Sequence, residues 1–117
     1  MSIDVLFAGI AVSDLDASVG WYEQLLGRPA DILVNPDEVM WRIGDAAWLY
    51  LVRDAHRAGH GLAAFAVPDL EAAIAEIARR GLVTERIEIV GTAGRKAPLV
   101  DLDGNTISLI EVVASTD

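Results

Sequence analysis

The sequence has no cysteine, few aromatic residues and no long hydrophobic run. The absence of cysteine excludes disulfides, thiolate metal sites and a cysteine nucleophile, and suits a reducing compartment. No apolar run reaches the roughly 18 residues that a membrane-spanning helix needs. Residues 1–12 also lack the basic start and the cleavage site of a signal peptide. We therefore expect a cytoplasmic protein with no membrane partner.

Basic residues are scarce as well. The chain has nine Lys and Arg residues and 18 Asp and Glu residues, which gives a net charge of −9. Basic side chains are what a protein uses to hold a nucleic-acid backbone, so a nucleic-acid partner is not expected. An acidic surface attracts cationic small molecules, although its commoner effect is solubility. The length of 117 residues fits one domain with a substantial core.

What the sequence does contain is a repeat. Residues 11–17 (Ala-Val-Ser-Asp-Leu-Asp-Ala) return as residues 66–72 (Ala-Val-Pro-Asp-Leu-Glu-Ala), 55 positions later. In both copies an apolar stretch precedes the repeat and an amphipathic helical pattern follows it. Each half is too short to bury a core alone, so the repeat predicts two similar units packed together. A site in such a protein is expected between the units.

Hydrophobic periodicity and turn residues predict the same element order in both halves. The first half predicts strands over 3–12, 30–34, 38–43 and 46–52, with a helix that begins at Ser13 or Asp14 and ends at Gly27. The second half predicts strands over 62–67, 83–90, 96–101 and 106–113, with a helix that starts at Pro68, has Asp69 in its first turn and ends at Gly81. The prediction is one domain of two βαβββ modules, over residues 1–55 and 61–117, with a linker over 53–61.

Three motifs in order resemble a known superfamily. Residues 12–18 match its strand-to-helix phrase, residues 21–27 match its aromatic-Tyr-x-x-x-Leu-Gly helix end, and residues 101–105 match its Asp-Pro-Asp-Gly-Asn turn, with Leu102 in place of proline. The sequence resembles the vicinal oxygen chelate superfamily, which includes glyoxalase I, bleomycin-resistance proteins and extradiol dioxygenases. The resemblance implies an α+β fold in which two βαβββ modules form a cup-shaped mixed sheet with helices outside. It also implies a homodimer, with the cup built in one subunit or by exchange between two.

The resemblance directs attention to four strand positions. Enzymes of the superfamily hold a divalent metal there with His, Gln or Glu, whereas the matching residues in this sequence are Phe7, Tyr50, Leu62 and Ser108. Phenylalanine and leucine cannot bind a metal, and neutral hydroxyls are poor ligands for zinc, nickel, manganese or iron. We therefore predict no metal and no cofactor at this address.

Strand alternation predicts which side chains line the cup. Small residues make room for a ligand, and aromatic rings offer flat stacking surfaces with a polar edge. Strand three places either Trp41 or Arg42 in the cup, and the sequence does not decide between them. The predicted ligand-binding residues are Phe7, Trp41, Trp48, Tyr50, Leu62 and Ser108. The alternative is that these side chains simply fill the cavity.

Other candidate groups favour structural explanations. His56 and His60 lie four apart, but Gly59 and Gly61 break the helix that would bring them together. Asp101 and Asp103 point the same way, yet Asp103-Gly104 is typical of a hairpin turn. Residues 91–96 are glycine-rich without P-loop spacing, so they predict a flexible hairpin loop.

Two functional hypotheses follow. The first is a protein without the usual metal ligands that binds a small apolar, planar or cationic molecule, as a bleomycin-resistance protein sequesters its drug. The alternative is a metal-dependent enzyme of the glyoxalase or dioxygenase type, a lyase or isomerase whose metal is held by non-standard ligands. A third possibility, a structural or regulatory subunit, would have a closed cup.

Overall fold

The computed structural model describes residues 1–113 and contains two helices and eight strands, in the predicted order. The last four residues of the predicted second module, 114–117, lie outside the described part of the chain. The first half contains β1 (Leu6–Val12), α1 (Leu15–Leu26), β2 (Ile32–Asn35), β3 (Glu38–Arg42) and β4 (Ala47–Arg53). The second half contains β5 (Leu62–Ala66), α2 (Leu70–Arg79), β6 (Glu88–Val90), β7 (Gly94–Val100) and β8 (Thr106–Val112).

The strands form two sheets of the same topology. The order is β1-β4-β3-β2 in the first sheet and β5-β8-β7-β6 in the second. In each sheet the first strand pairs in parallel with the last, and the other neighbours are antiparallel. The strand registers of the two sheets are equivalent, since Gly9 lies opposite Tyr50 in the first sheet and Ala64 lies opposite Ser108 in the second. The predicted α+β fold of two βαβββ units is confirmed.

Each helix begins at an aspartate. The side chain of Asp14 accepts a hydrogen bond from the Ala17 N–H at 3.1 Å, and Asp69 accepts one from Ala72 at the same distance. Asp69 is therefore the N-cap rather than a residue of the first turn, because its extended backbone and short carboxylate meet the unpaired N–H groups of the helix start. Gly27 ends α1 with φ of 77°, a left-handed conformation that glycine adopts without strain.

The core lies between each sheet and its helix. Alternate residues of the central strands face the helices and are buried, among them Leu51 of β4 and Ile107 of β8. Tyr22 of α1 and Leu70 of α2 are fully buried on the other side of these layers. Among residues 1–113, neither helix is long and apolar enough to cross a membrane.

One predicted strand is much shorter in the structure. A strand was expected over 83–90, but β6 covers three residues that pair with the start of β7. The next two pairs along this ladder would join Ile87 to Ala97 and Arg86 to Pro98, and proline has no N–H to donate. The predicted loop over 91–96 is correspondingly short, because Gly94 already begins β7 opposite Val112.

Candidate functional site

The candidate site is the sheet surface that faces away from the helices, which we call the cup face. Strand alternation places the helix-side residues of β1 and β4 in the core, so their neighbours in sequence point to the opposite side. The structure places five of the six predicted ligand-binding residues on the cup face. These are Phe7, Trp48 and Tyr50 of the first sheet and Leu62 and Ser108 of the second.

Aromatic rings cover the cup face of the first sheet. Phe7 and Trp48 lie opposite each other in the register and stack, with ring centroids 6.3 Å apart and an interplanar angle of 16°. Two residues further along the same strands, Tyr50 lies opposite Gly9. Phe7 remains 54% exposed, so this aromatic surface is open in the single chain.

The side chains on the cup face of the second sheet are smaller and more polar than those on the first. Leu62, Thr106, Ser108 and Lys96 border a depression of about 310 Å³. Ser108 is only 6% exposed, whereas Leu62, at the edge of the sheet, is 83% exposed. The Lys96 ammonium lies 3.6 Å from a carboxylate oxygen of Glu88. This part of the site offers hydroxyls and one ion pair instead of rings.

Trp41, the sixth predicted ligand-binding residue, is not on the cup face, and that prediction is wrong. It is fully buried on the helix side, where it packs against Tyr22 with ring centroids 6.3 Å apart. Its indole N–H donates to the Arg28 carbonyl at 3.0 Å. The register fixes this orientation: Trp41 lies opposite the core residue Leu49, so the next residue, Arg42, takes the other face.

The predicted turn after β7 joins the two halves. Asn105 is fully buried, and its side-chain oxygen accepts from the N–H groups of Gly59 and Gly61 at 3.0 and 2.7 Å. Its amide nitrogen donates to the carbonyl of Ala11 in β1 at 3.0 Å. It donates as well to Asp101 at 2.9 Å. A single side chain thus connects the linker, the first sheet and the turn.

Asp101 and Asp103 belong to the same turn. The Asp101 carboxylate accepts from the backbone of Asp103 and Asn105 and from the Tyr22 hydroxyl, the last at 2.7 Å. Burial, reinforced by this hydrogen bond, raises the pKa of Tyr22 above its ordinary range. Asp103 binds the side chain of Ser13 at the end of β1. The geometry therefore favours the structural explanation of the aspartate pair over acid–base chemistry.

Other side chains that can bind a metal lie away from the cup face. His56 and His60 are exposed in the linker. Within residues 1–113, three carboxylates lie close enough together to share an ion, those of Asp69, Glu71 and Glu111. They already have partners, since Asp69 caps α2 and the other two bind Arg95. This cluster anchors α2 to the second sheet.

The Arg95 anchor makes stability depend on acidity. Arg95 donates two hydrogen bonds to Glu71, at 2.6 and 2.9 Å, and these lower the pKa of Glu71 to about 2. The Leu70 N–H, together with Arg95, lowers the pKa of Glu111. A lowered carboxyl pKa stabilises the folded state above the ordinary value of 4.5, and the contribution is lost as the pH falls towards 2.

We therefore expect Arg95→Gln to lower the melting temperature at pH 7 and to lower it less at pH 3. The effect is small because Glu71 is exposed and Glu111 is only partly buried. Circular dichroism melts at the two pH values measure it, with Arg57→Gln as the control that removes one arginine from a loop pair. An equal loss for Arg95→Gln at both pH values would contradict the role of the two glutamates.

Sequence reasoning left two residues of this region without a role of their own. Asn105 was part of the turn motif, but its bonds to the linker depend on the packing of the two halves. Gly9 lies on the cup face of β1, where the structure places it under the ring of Tyr50. The sequence signal for Gly9 was a glycine inside an otherwise regular strand, which often marks a close approach.

The fold and the cup face together define a two-module α+β protein with an aromatic sheet surface opposite its helices. Comparison with protein families matches residues 3–109 to the Glyoxalase/Bleomycin resistance protein/Dioxygenase superfamily, and the chain belongs to that superfamily. The predicted resemblance is thus confirmed. A comparison with curated proteins finds no match.

Solved structures agree with this assignment. A glyoxalase/bleomycin resistance protein from Catenulispora acidiphila DSM 44928 is 33% identical, with a TM-score of 0.87 over 96% of this chain and 100% of that one. TnmS3, an antibiotic-binding protein from Streptomyces sp. CB03234, is 23% identical, with a TM-score of 0.76 over 97% of this chain and 98% of that one. A bleomycin-binding protein in complex with bleomycin is 20% identical, with a TM-score of 0.74 over 94% and 99%. The last two establish similarity of fold.

Proposed function

We propose that this protein binds a small apolar or planar molecule on the cup face and does so without a metal ion. The observation that carries the proposal is the partly open aromatic surface of Phe7, Trp48 and Tyr50. Aromatic residues commonly fill a buried core. Aromatic rings that stay open to solvent beside a strand of small residues are instead typical of a ligand-binding surface. The bleomycin-binding and antibiotic-binding proteins of the same fold support this type of ligand.

The polar groups of the two sides of the sheet differ in a way that supports binding. On the helix side, Tyr22 donates to Asp101 and Trp41 donates to Arg28. On the cup face, the Tyr50 hydroxyl and the Trp48 indole N–H form no hydrogen bond within residues 1–113. A ligand with a polar edge supplies partners for these groups while its ring covers the aromatic surface.

The donor set at the superfamily's metal address does not fit a divalent cation. It consists of a phenyl ring, an isobutyl group and two neutral hydroxyls, from Phe7, Leu62, Tyr50 and Ser108. Zinc and similar ions need imidazole, carboxylate or thiolate ligands. We therefore assign recognition to shape and ring contacts and derive no metal-dependent step.

Charge favours a neutral or cationic ligand. The chain carries a net charge of −9, which raises the local concentration of cations near its surface. The cationic Lys96 of the cup face already has the Glu88 carboxylate as a neighbour. We therefore expect a planar cation to bind more tightly than a planar anion of similar size.

The proposed binding protein is a homodimer. Leu6, Phe7 and Leu62 are more than half exposed in the single chain, at 62%, 54% and 83%. Exposed apolar side chains of this size, clustered at the starts of β1 and β5, are typical of an interface. A second copy that brings its own sheet over the cup face would enclose the ligand between two walls.

Calorimetric titration with bleomycin, ethidium and anilinonaphthalene sulfonate tests the proposal. Ethidium carries a fused aromatic cation and the sulfonate an aromatic anion, so the two compounds separate ring contact from charge. We expect Trp48→Ala to weaken ethidium binding by about three- to tenfold, as the loss of one stacked ring predicts. Sedimentation of the same samples should give twice the 12.5 kDa of one chain.

Leu102→Ala is the matched control, because Leu102 is a large exposed apolar residue on the turn after β7 and does not line the depression on the second sheet. It should bind the compounds as the unmodified protein does. Absence of heat with all three compounds, or equal weakening by Leu102→Ala and Trp48→Ala, would contradict binding at this surface.

A further inference from the structure

The backbone conformation at Gly9 does not require a glycine. It lies in the middle of β1, in a regular parallel ladder with β4, and its φ is not positive. Glycine inside a strand weakens it, since glycine loses more conformational freedom on folding than other residues and packs no side chain. A tolerated strand glycine therefore indicates that something needs the space above it.

The structure identifies what fills this space. A Cβ atom at position 9 would lie within 2.5 Å of Cε2 and of the hydroxyl oxygen of Tyr50, closer than real Cβ contacts come. The ring of Tyr50 thus crosses from β4 onto β1 and rests where a side chain of residue 9 would stand. Gly9 and Tyr50 are direct partners in the register, so the contact is a property of the strand pairing.

This contact shapes the cup face. With Tyr50 resting on the sheet, the ring does not project into the cup, and its hydroxyl lies over β1. Next to it the Phe7–Trp48 stack continues the surface along the same two strands. Together Phe7, Trp48 and Tyr50 form a flat aromatic surface close to the sheet, which we call the aromatic floor.

We propose that Gly9 is a specificity-determining residue: by holding Tyr50 down, it keeps the aromatic floor low enough for a flat, multi-ring ligand whose polar edge meets the Tyr50 hydroxyl. This inference rests on the proposed function and names the ligand class for it. Any side chain at position 9 lifts the tyrosine ring into the cup. The ligand then loses both its space and a stacking surface.

The first test needs no ligand. One Hα of Gly9 points towards the Tyr50 ring and should show an aromatic ring-current shift in the NMR spectrum of the free protein. The shift should disappear in Tyr50→Leu and persist in Trp21→Phe, which changes an aromatic residue of α1 on the helix side. A Gly9 resonance that does not respond to Tyr50→Leu would overturn the contact on which the inference depends.

The second test is a double-substitution cycle with ethidium as the probe. Gly9→Ala should weaken ethidium binding by about three- to tenfold, the magnitude of one lost aromatic contact. In a Tyr50→Leu background the same substitution should have little further effect, because there is no ring to lift. Tyr50→Phe keeps the ring and loses the hydroxyl, so it should weaken binding, and Gly9→Ala should weaken binding further in this background because a ring remains to be lifted. Circular dichroism confirms that each variant is folded.

The outcomes separate this inference from the proposed function. Ethidium binding by the unmodified protein, with equal losses for Gly9→Ala in both backgrounds, would overturn the role of Gly9 and leave ligand binding intact. No binding of ethidium, bleomycin or anilinonaphthalene sulfonate by the unmodified protein would instead contradict the proposed function, even with the Gly9 ring-current shift present.

Discussion

Replacing Asn105 with alanine is expected to lower the free energy of unfolding by about 3 kcal/mol, since a buried polar group left without its partner costs about 1–3 kcal/mol. The substitution removes the acceptor of the Gly59 and Gly61 N–H groups and the donor to the Ala11 carbonyl. It also leaves a cavity, because the side chain is fully buried. Urea unfolding measures the change.

Asn35→Ala is the matched control for this prediction. Asn35 also uses its side-chain oxygen to accept a backbone hydrogen bond, from Asp37 at 2.8 Å, but it does so in an exposed turn. Water replaces the lost partner there, so a change well below that of Asn105→Ala is expected. Similar losses for the two variants would show that Asn105 does not hold the halves together.

Much of the architecture was accessible from the sequence because it depends on local patterns. The repeat at 11–17 and 66–72 marks the same strand-to-helix junction twice, and the apolar periodicity around it specifies the following helix. Asp14 and Gly27 carry local chemistry that begins and ends α1 wherever the helix packs. Such signals predict element order well, as the confirmed βαβββ repeat illustrates.

Other features depend on partners distant in sequence. The face taken by Trp41 is decided by its pairing with Leu49, and no pattern within 38–43 carries that register. The end of β6 lies two pairs from Pro98 of the neighbouring strand, a residue distant from it in sequence. The contact of Tyr50 with Gly9 likewise requires the pairing of two strands separated by a helix and two further strands. The choice of ligand remains a proposal, because the cup face specifies shape and chemistry rather than a compound.

Placing strong donors at the four positions that the superfamily resemblance assigns to metal ligands is expected to create a metal site. The variant carries Phe7→His, Tyr50→Glu, Leu62→His and Ser108→Glu. Two imidazoles and two carboxylates suit Zn²⁺ or Ni²⁺, so we expect calorimetry to show stoichiometric binding by this variant. The double variant Phe7→His with Leu62→His is the control, and its two donors should bind far more weakly.

The same four positions can reveal how the cup closes. Phe7 and Tyr50 belong to the first sheet, whereas Leu62 and Ser108 belong to the second. One protein that carries only the first pair of substitutions and another that carries only the second should each bind metal weakly. If the cup is built by exchange between subunits, mixing and re-equilibrating the two proteins places all four donors in one cup and restores tight binding.

If the cup closes within one chain, the mixture should still bind metal weakly, whereas the fourfold variant should bind it tightly. Failure of a folded, dimeric fourfold variant to bind either metal would contradict the assignment of these positions, and with it the argument that hydrocarbon and hydroxyl groups replace metal ligands here. The measurement tests geometry separately from natural function, because a site that accepts donors has the superfamily's arrangement even when its own side chains cannot hold an ion. Tight binding would therefore support the proposal that Phe7, Tyr50, Leu62 and Ser108 occupy the superfamily's metal-ligand positions.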